Sequence, residues 1–186
     1  DLEWATLRSA VHFLQHCRRD GAALTIAVNV SAESLRLPDF GLRLQELLQL
    51  HDIPGAMLRL EIVEWTEIVE RDVVDANIAQ LLAAGVTLSL DDFGAGYSTL
   101  ILLSQLAIAE VKIEQALIAT LSDAKSQSIV RFIVEVAHHC GAIVVAEGTE
   151  TLAQEQKLRA LGVDVGQGYL YSAALPADEF RRFAAG

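Results

Sequence analysis

Only two cysteines occur in the 186 residues, Cys17 and Cys140, and neither sits in a CxxC pair or beside a Cys/His ladder. That scarcity argues against a disulfide framework or a zinc site and fits a cytosolic setting. Positive charge is also scarce. Against 25 Asp plus Glu there are 14 Lys plus Arg, a formal net charge of -11, which opposes general binding to a nucleic-acid backbone. Long apolar runs are missing too: Ala142 to Ala146 and Leu100 to Leu103 are soon interrupted by polar residues, far short of the roughly 20 residues a membrane span requires. The first residues, Asp1 to Arg8, lack the basic flank and apolar stretch of a secretory signal. Nor is there a low-complexity tract. With so little positive charge, a phosphate ligand would need divalent cations gathered by clustered acidic groups.

What is present is a 52% apolar composition, enough for a substantial core in one globular domain. Short β-rich runs alternate with longer segments of helical period, the pattern of a parallel α/β architecture. The strands are predicted at Leu24 to Val30, Met57 to Val63, Val86 to Leu90, Ala109 to Ile113, Ala142 to Ala146 and Val163 to Tyr171. Helices are predicted at Leu2 to Arg19, Arg43 to His51, Asp72 to Ala84, Ser98 to Leu106, Ser126 to His139 and Leu152 to Leu161. Gly21, Gly85, Gly141 and Gly162 each follow a helical pattern, as C-terminal caps do.

Every predicted strand carries polar residues at or near its end: Asn29 with Ser31, Glu61 with Glu64, Asp91 with Asp92, Lys112 with Glu114, Glu147 with Glu150, and Gln167 within the sixth run. One carboxylate after a strand is ordinary loop polarity. A complete series is not, because a parallel barrel presents all its strand C-termini to one face, where active sites are built. Six strands and 186 residues fall short of the eight strands and roughly 250 residues of a full barrel, and the expected missing piece is N-terminal.

Asn29, Glu61, Asp91, Asp92 and Glu147 are oxygen donors of the kind Mg²⁺ or Mn²⁺ prefers. Adjacent aspartates at a strand end can serve two metals, and two-metal sites catalyse in-line displacement at phosphorus. In such a site Lys112 would face the attacked phosphate or the attacking water, with Gln167 holding it by a hydrogen bond.

The runs AVNVSAESL, LRLEIVE, LSLDDFGAGYSTL, VKIEQALI, VVAEGTET and GQGYLYSAALPADEF resemble, in order and spacing, the motifs of the EAL domain family. The resemblance covers the chain from Leu24 onward. It implies a TIM-like (β/α) barrel, with about six of eight strands here and the N-terminal Glu-Ala-Leu strand absent. The implied activity is hydrolysis of cyclic di-GMP to linear pGpG with Mg²⁺ or Mn²⁺. It also implies that Asn29, Glu61 and Asp91 are metal ligands, Asp91 bridging two ions, with Asp92 and Glu147 on the second. Lys112, Glu147 and Gln167 take the catalytic positions, Lys112 and Gln167 handling the nucleophilic water. Glu64 ties down the loop after Asp92, and Glu114 and Glu150 stand behind the ligands. A homodimer, flanking sensory or GGDEF-type domains, and a cytoplasmic or cytoplasm-facing location complete the expectation. The departures are Val63 and Trp65 around Glu64, Glu114 where the family has aspartate, and the absent Glu-Ala-Leu glutamate with the arginine that follows it. The alternative reading is a degenerate module that binds cyclic di-GMP or a protein partner without turnover.

Other signals are set aside. His12 and His16 stand four apart on a helical pattern without the HExxH context or third ligand of a zinc site. His138 and His139 precede Gly141, where partial positive charge suits a helix C-terminus. Gly94 and Gly96 lack the rest of a phosphate-loop fingerprint. Ser31 and Ser98 have no histidine in motif context for nucleophilic catalysis.

Overall fold

The computed structural model describes residues 2–63, 71–93 and 98–184. The chain forms two compact units, Asp1–Leu88 with Leu175–Gly186, and Ser89–Ala174.

The first unit opens with helix α1 (Leu2–Arg19), whose buried Trp4, Leu7, Val11, Leu14 and Cys17 recur at three- and four-residue intervals and form one apolar face. Strand β1 (Ile26–Ser31) follows, then a short helix α2 (Ala32–Leu35) capped by Ser31, whose hydroxyl accepts from the Ser34 N–H. Glu3 of α1 reinforces this turn by accepting from the Ser31 N–H at 2.6 Å and from the Ser34 hydroxyl. Helix α3 (Phe40–Leu50) leads to β2 (Leu58–Val63) and helix α4 (Arg71–Ala83). Asn77 of α4 is buried yet satisfied: it donates to the carbonyls of Leu35 and Leu37, each at 2.8 Å, and accepts from the Gly41 N–H at 2.9 Å. Helix α9 (Ala177–Ala184), unmarked by the strand and helix periodicity, belongs to this unit and is tied to the turn after α1 by the Arg181–Asp20 ion pair.

Strand β3 (Thr87–Leu90) passes from the first unit into the second. Strand order is β1-β2-β3 on one side of that boundary and β3-β4-β5-β6 on the other. In the first unit β1 and β2 run parallel with Asn29 opposite Glu61, so both predicted ligands share one rung near the strand C-termini.

The second unit continues with α5 (Ser98–Gln105), β4 (Ile108–Ile113), α6 (Gln115–Ala119), α7 (Ala124–His139), β5 (Ile143–Ala146), α8 (Leu152–Ala160) and β6 (Val165–Gly166). β4, β5 and β6 pair in parallel, each return made by helix, as parallel ladders require. Val111, Ile113, Val144, Val145 and Ala146 of the strands and Val130, Ile133 and Ala137 of α7 are buried in its core. Helix α8 begins with a reciprocal capping box between Thr151 and Gln154. The four glycines after helices all adopt positive φ, between 81° and 88°.

The sixth strand corrects the sequence reading. It holds Val165 and Gly166 alone, and Gln167 stands just beyond it. Pairing ends because the Gln167 carbonyl turns to accept from the Thr149 N–H, and Gly168 follows at φ +153° against the Thr149 backbone. A Cβ there would lie 2.9 Å or less from three Thr149 backbone atoms, so the close approach requires glycine.

At the N-terminal end of β5, Asp164 accepts from His138 Nε2 and from the Val144 N–H, both at 2.7 Å. Desolvation pushes this carboxyl up, but the hydrogen bonds from His138 and Val144 outweigh it and hold it below the ordinary carboxylate range. A lowered folded value means stabilisation that is complete above the unfolded pKa, about 3.9, and lost as pH falls through the folded one. Asp164→Ala is therefore expected to cost about 1 to 2 kcal/mol at pH 7. In urea unfolding the gap from wild type should close below about pH 4.

Candidate active site

Four strand ends of the second unit carry the candidate groups, and backbone hydrogen bonds fix their relative heights. The Phe93 N–H donates to the Lys112 carbonyl at 2.9 Å, the Glu147 N–H to the Ile113 carbonyl at 3.0 Å, and the Gln167 N–H to the Ala146 carbonyl at 2.8 Å. The bonds of Glu147 and Gln167 extend the parallel ladders one step past β5 and β6, and that of Phe93 ties the turn after β3 to β4. Asp91, Lys112, Glu147 and Gln167 are thereby held in sequence along one sheet edge.

Lys112 is buried, with 5% of its surface exposed. Its Nζ lies 2.6 Å from Glu147 Oε1 and 3.5 Å from Asp91 Oδ1. A buried ammonium carries a desolvation penalty unless paired, and the two carboxylates supply the pairing. Asp92 has φ +49°, a left-handed conformation that aspartate tolerates better than most residues, and its N–H donates to Asp91 Oδ1 at 3.1 Å. In an extended chain adjacent side chains point to opposite sides. The left-handed turn instead brings both aspartates together, so that Asp91, Asp92 and Glu147 each place a carboxylate oxygen within 4.8 Å of the others.

Three carboxylates, two of them in contact with one ammonium, leave two excess negative charges, which a divalent cation balances. The donors are all hard oxygens, so Asp91, Asp92 and Glu147 suit Mg²⁺ or Mn²⁺ in both charge and chemistry.

The other predicted residues distribute differently. Asn29 and Glu61 face each other on the β1–β2 rung of the first unit. Glu114 is the N-cap residue of α6 without a side-chain cap bond, and the Glu150 N–H donates to Gln154 Oε1 at 3.0 Å. Glu64 lies outside the described residues, as do Trp65, Gly94 and Gly96. Beside the acidic group is a cavity of about 280 Å³ bounded by Gln115, Glu147, Glu150, Gln167 and Tyr169. Gln115 is a site neighbour the sequence reading missed; the signal was its place directly after the Lys112 strand.

Gly148 explains how Gln115 and Glu147 fit together. It has φ +68°, and a Cβ there would meet the Gln115 side chain, with Cβ and Cδ both at 2.8 Å. Gly148→Ala is expected to lower stability by about 1 to 3 kcal/mol through overpacking and strain. Thermal unfolding reads this; an unchanged midpoint would show that Gln115 moves aside freely.

Several known proteins resemble this chain in sequence and in fold. MucR of Pseudomonas aeruginosa, a bifunctional diguanylate cyclase/cyclic di-GMP phosphodiesterase, is 38% identical over 83% of this chain and 23% of its own length. The solved MucR phosphodiesterase in complex with c-di-GMP superposes with a TM-score of 0.86 at 34% identity, covering 96% of this chain and 72% of that one. The EAL domain of Mycobacterium smegmatis DcpA gives 0.90 at 29% identity, covering 96% and 82%. Klebsiella pneumoniae BlrP1, solved as a manganese/cyclic di-GMP complex, gives 0.76 at 30% identity, covering 87% and 42%. Against the first curated relatives the chain spans between 20% and 52% of their length. The expected TIM-like barrel class is borne out by these neighbours. Since the family model of the EAL domain matches residues 1–174, the chain belongs to the EAL domain family.

Proposed function

We propose that this chain hydrolyses cyclic di-GMP to linear pGpG in a cation-dependent reaction. The observation that carries the reading is the cluster of Asp91, Asp92 and Glu147, of which Asp91 and Glu147 contact buried Lys112. It is supported by the phosphodiesterase and cyclic di-GMP complexes among the relatives.

In the reaction, water forms a bond to one phosphorus, the bond from that phosphorus to the ribose 3′ oxygen breaks, and the leaving oxygen takes a proton. A bound divalent cation supplies Lewis-acid polarisation of the phosphodiester and acidifies the nucleophile. Asp91, Asp92 and Glu147 would hold it. Lys112 presents its N–H donors between Asp91 and Glu147, where they orient the attacking water and meet charge developing on the phosphoryl oxygens. Gln167, bordering the same cavity as Glu147, offers an amide to the water. Asn29 and Glu61 are assigned as further oxygen ligands through their match to the family's ligand positions, and Glu64, Glu114 and Glu150 as supporting residues on the same ground.

Self-association and flanking sensory or GGDEF-type domains belong to the same proposal; light scattering and the surrounding gene sequence read them. The activity is tested by incubating the protein with cyclic di-GMP and Mn²⁺ or Mg²⁺ and separating products by chromatography. The expected result is pGpG that disappears on chelation. Binding of cyclic di-GMP without product would assign the chain to the degenerate receptors.

A further inference from the structure

Beneath the site is a second polar rung that the reaction does not use. Ser89 of β3 is 0% exposed and Glu110 of β4 is 5% exposed, and the Ser89 hydroxyl donates to Glu110 Oε1 at 3.1 Å. Side chains alternate along a strand, so Ser89 shares a side of the sheet with Asp91, and Glu110 with Lys112. The two adjacent strands therefore carry two stacked cross-strand contacts two residues apart: Ser89 with Glu110 below, and Asp91 with Lys112 at 3.5 Å above.

A carboxylate in this position is costly. An apolar pair of similar volume would bury at less expense, since a buried charge must recover its hydration from a few fixed partners. A directional hydrogen bond, however, fixes relative strand position as apolar contact does not. A slip or tilt of β3 against β4 would change the Lys112–Asp91 separation while leaving Lys112–Glu147, made toward β5, less affected.

We propose that Glu110, through Ser89, is a positioning residue that sets Lys112 against Asp91 for the reaction. This rests on the phosphodiesterase reading, and two readouts separate its failure from that of the reading. The first is kcat and KM for pGpG formation; the second, independent of activity, is the rate of Lys112 acylation by an amine-reactive ester, read by mass spectrometry relative to exposed Lys157. The variants are Ser89→Ala, Glu110→Leu and Glu110→Gln, with Val130→Ala in the same unit's core as a destabilised control.

Glu110→Leu is expected to lower kcat by about tenfold or more with KM within about threefold, since small misplacements of a reacting group are expensive. Lys112 acylation should rise by at least about fivefold as its packing loosens. Ser89→Ala should show the same changes more weakly. Glu110→Gln keeps the acceptor and should recover most of both losses, while Val130→Ala should change neither ratio. Wild-type kcat and acylation in Glu110→Leu, or the same losses in Val130→Ala, would overturn the proposal. If the wild-type chain forms no pGpG, the functional reading fails and the acylation comparison alone decides the positioning role.

Discussion

Lys112→Met is expected to lower kcat for pGpG formation by about 10² or more, the scale for losing a positioned catalytic group. Methionine preserves much of the side chain's bulk and removes only the ammonium. What disappears is the contact at 2.6 Å with Glu147 and at 3.5 Å with Asp91, together with the donors offered to the water and phosphate. Cyclic di-GMP binding should survive within a few-fold, because the loss falls mainly on interactions that strengthen in the transition state. Cation affinity should not fall. Removing a positive charge from beside Asp91, Asp92 and Glu147 leaves those carboxylates more negative toward Mn²⁺. Steady-state kinetics with calorimetric Mn²⁺ titration separates these effects; a drop in KM-level binding with unchanged kcat would remove Lys112 from the chemistry.

The second large effect is on cation binding itself. Asp91→Asn should weaken Mn²⁺ binding by about a hundredfold or more, beyond the ten- to hundredfold typical of losing an outer partner of a metal ligand. The amide keeps the shape and one oxygen but removes the charge that makes Asp91 a strong donor to a hard cation. Asp75→Asn, on an exposed face of helix α4, should leave the affinity unchanged. Equal affinities in the two variants, by calorimetry, would take Asp91 out of the cation site.

The parts of this molecule that were legible in its sequence are those governed by local periodicity. Helix α1 begins and ends where its apolar spacing predicts, and Gly21, Gly85, Gly141 and Gly162 sit at positive φ after helices, since that conformation is open to glycine at little steric cost. The strand-end acids were legible because they interrupt apolar runs. The sixth strand was not, because Val165, Tyr169 and Tyr171 keep an apolar rhythm through a turn whose cause is the long-range approach of Thr149 to Gly168. Nor could spacing reveal that Lys112 bridges Asp91 and Glu147, that Gln115 packs over Gly148, or that Ser89 and Glu110 form a buried rung. Those facts depend on strand register, which the side chains of one strand do not encode alone. Short helices α2 and α6 escaped for a related reason: one or two turns carry too few residues to display a period.

The most direct test of the cation centre is anomalous scattering from crystals grown with Mn²⁺. Diffraction at the manganese edge should show a peak bound by oxygens of Asp91, Asp92 and Glu147, at roughly the 2.0 to 2.2 Å typical of small hard cations on carboxylates. No peak at these three carboxylates, in crystals of protein that still forms pGpG only when Mn²⁺ is added, would contradict it.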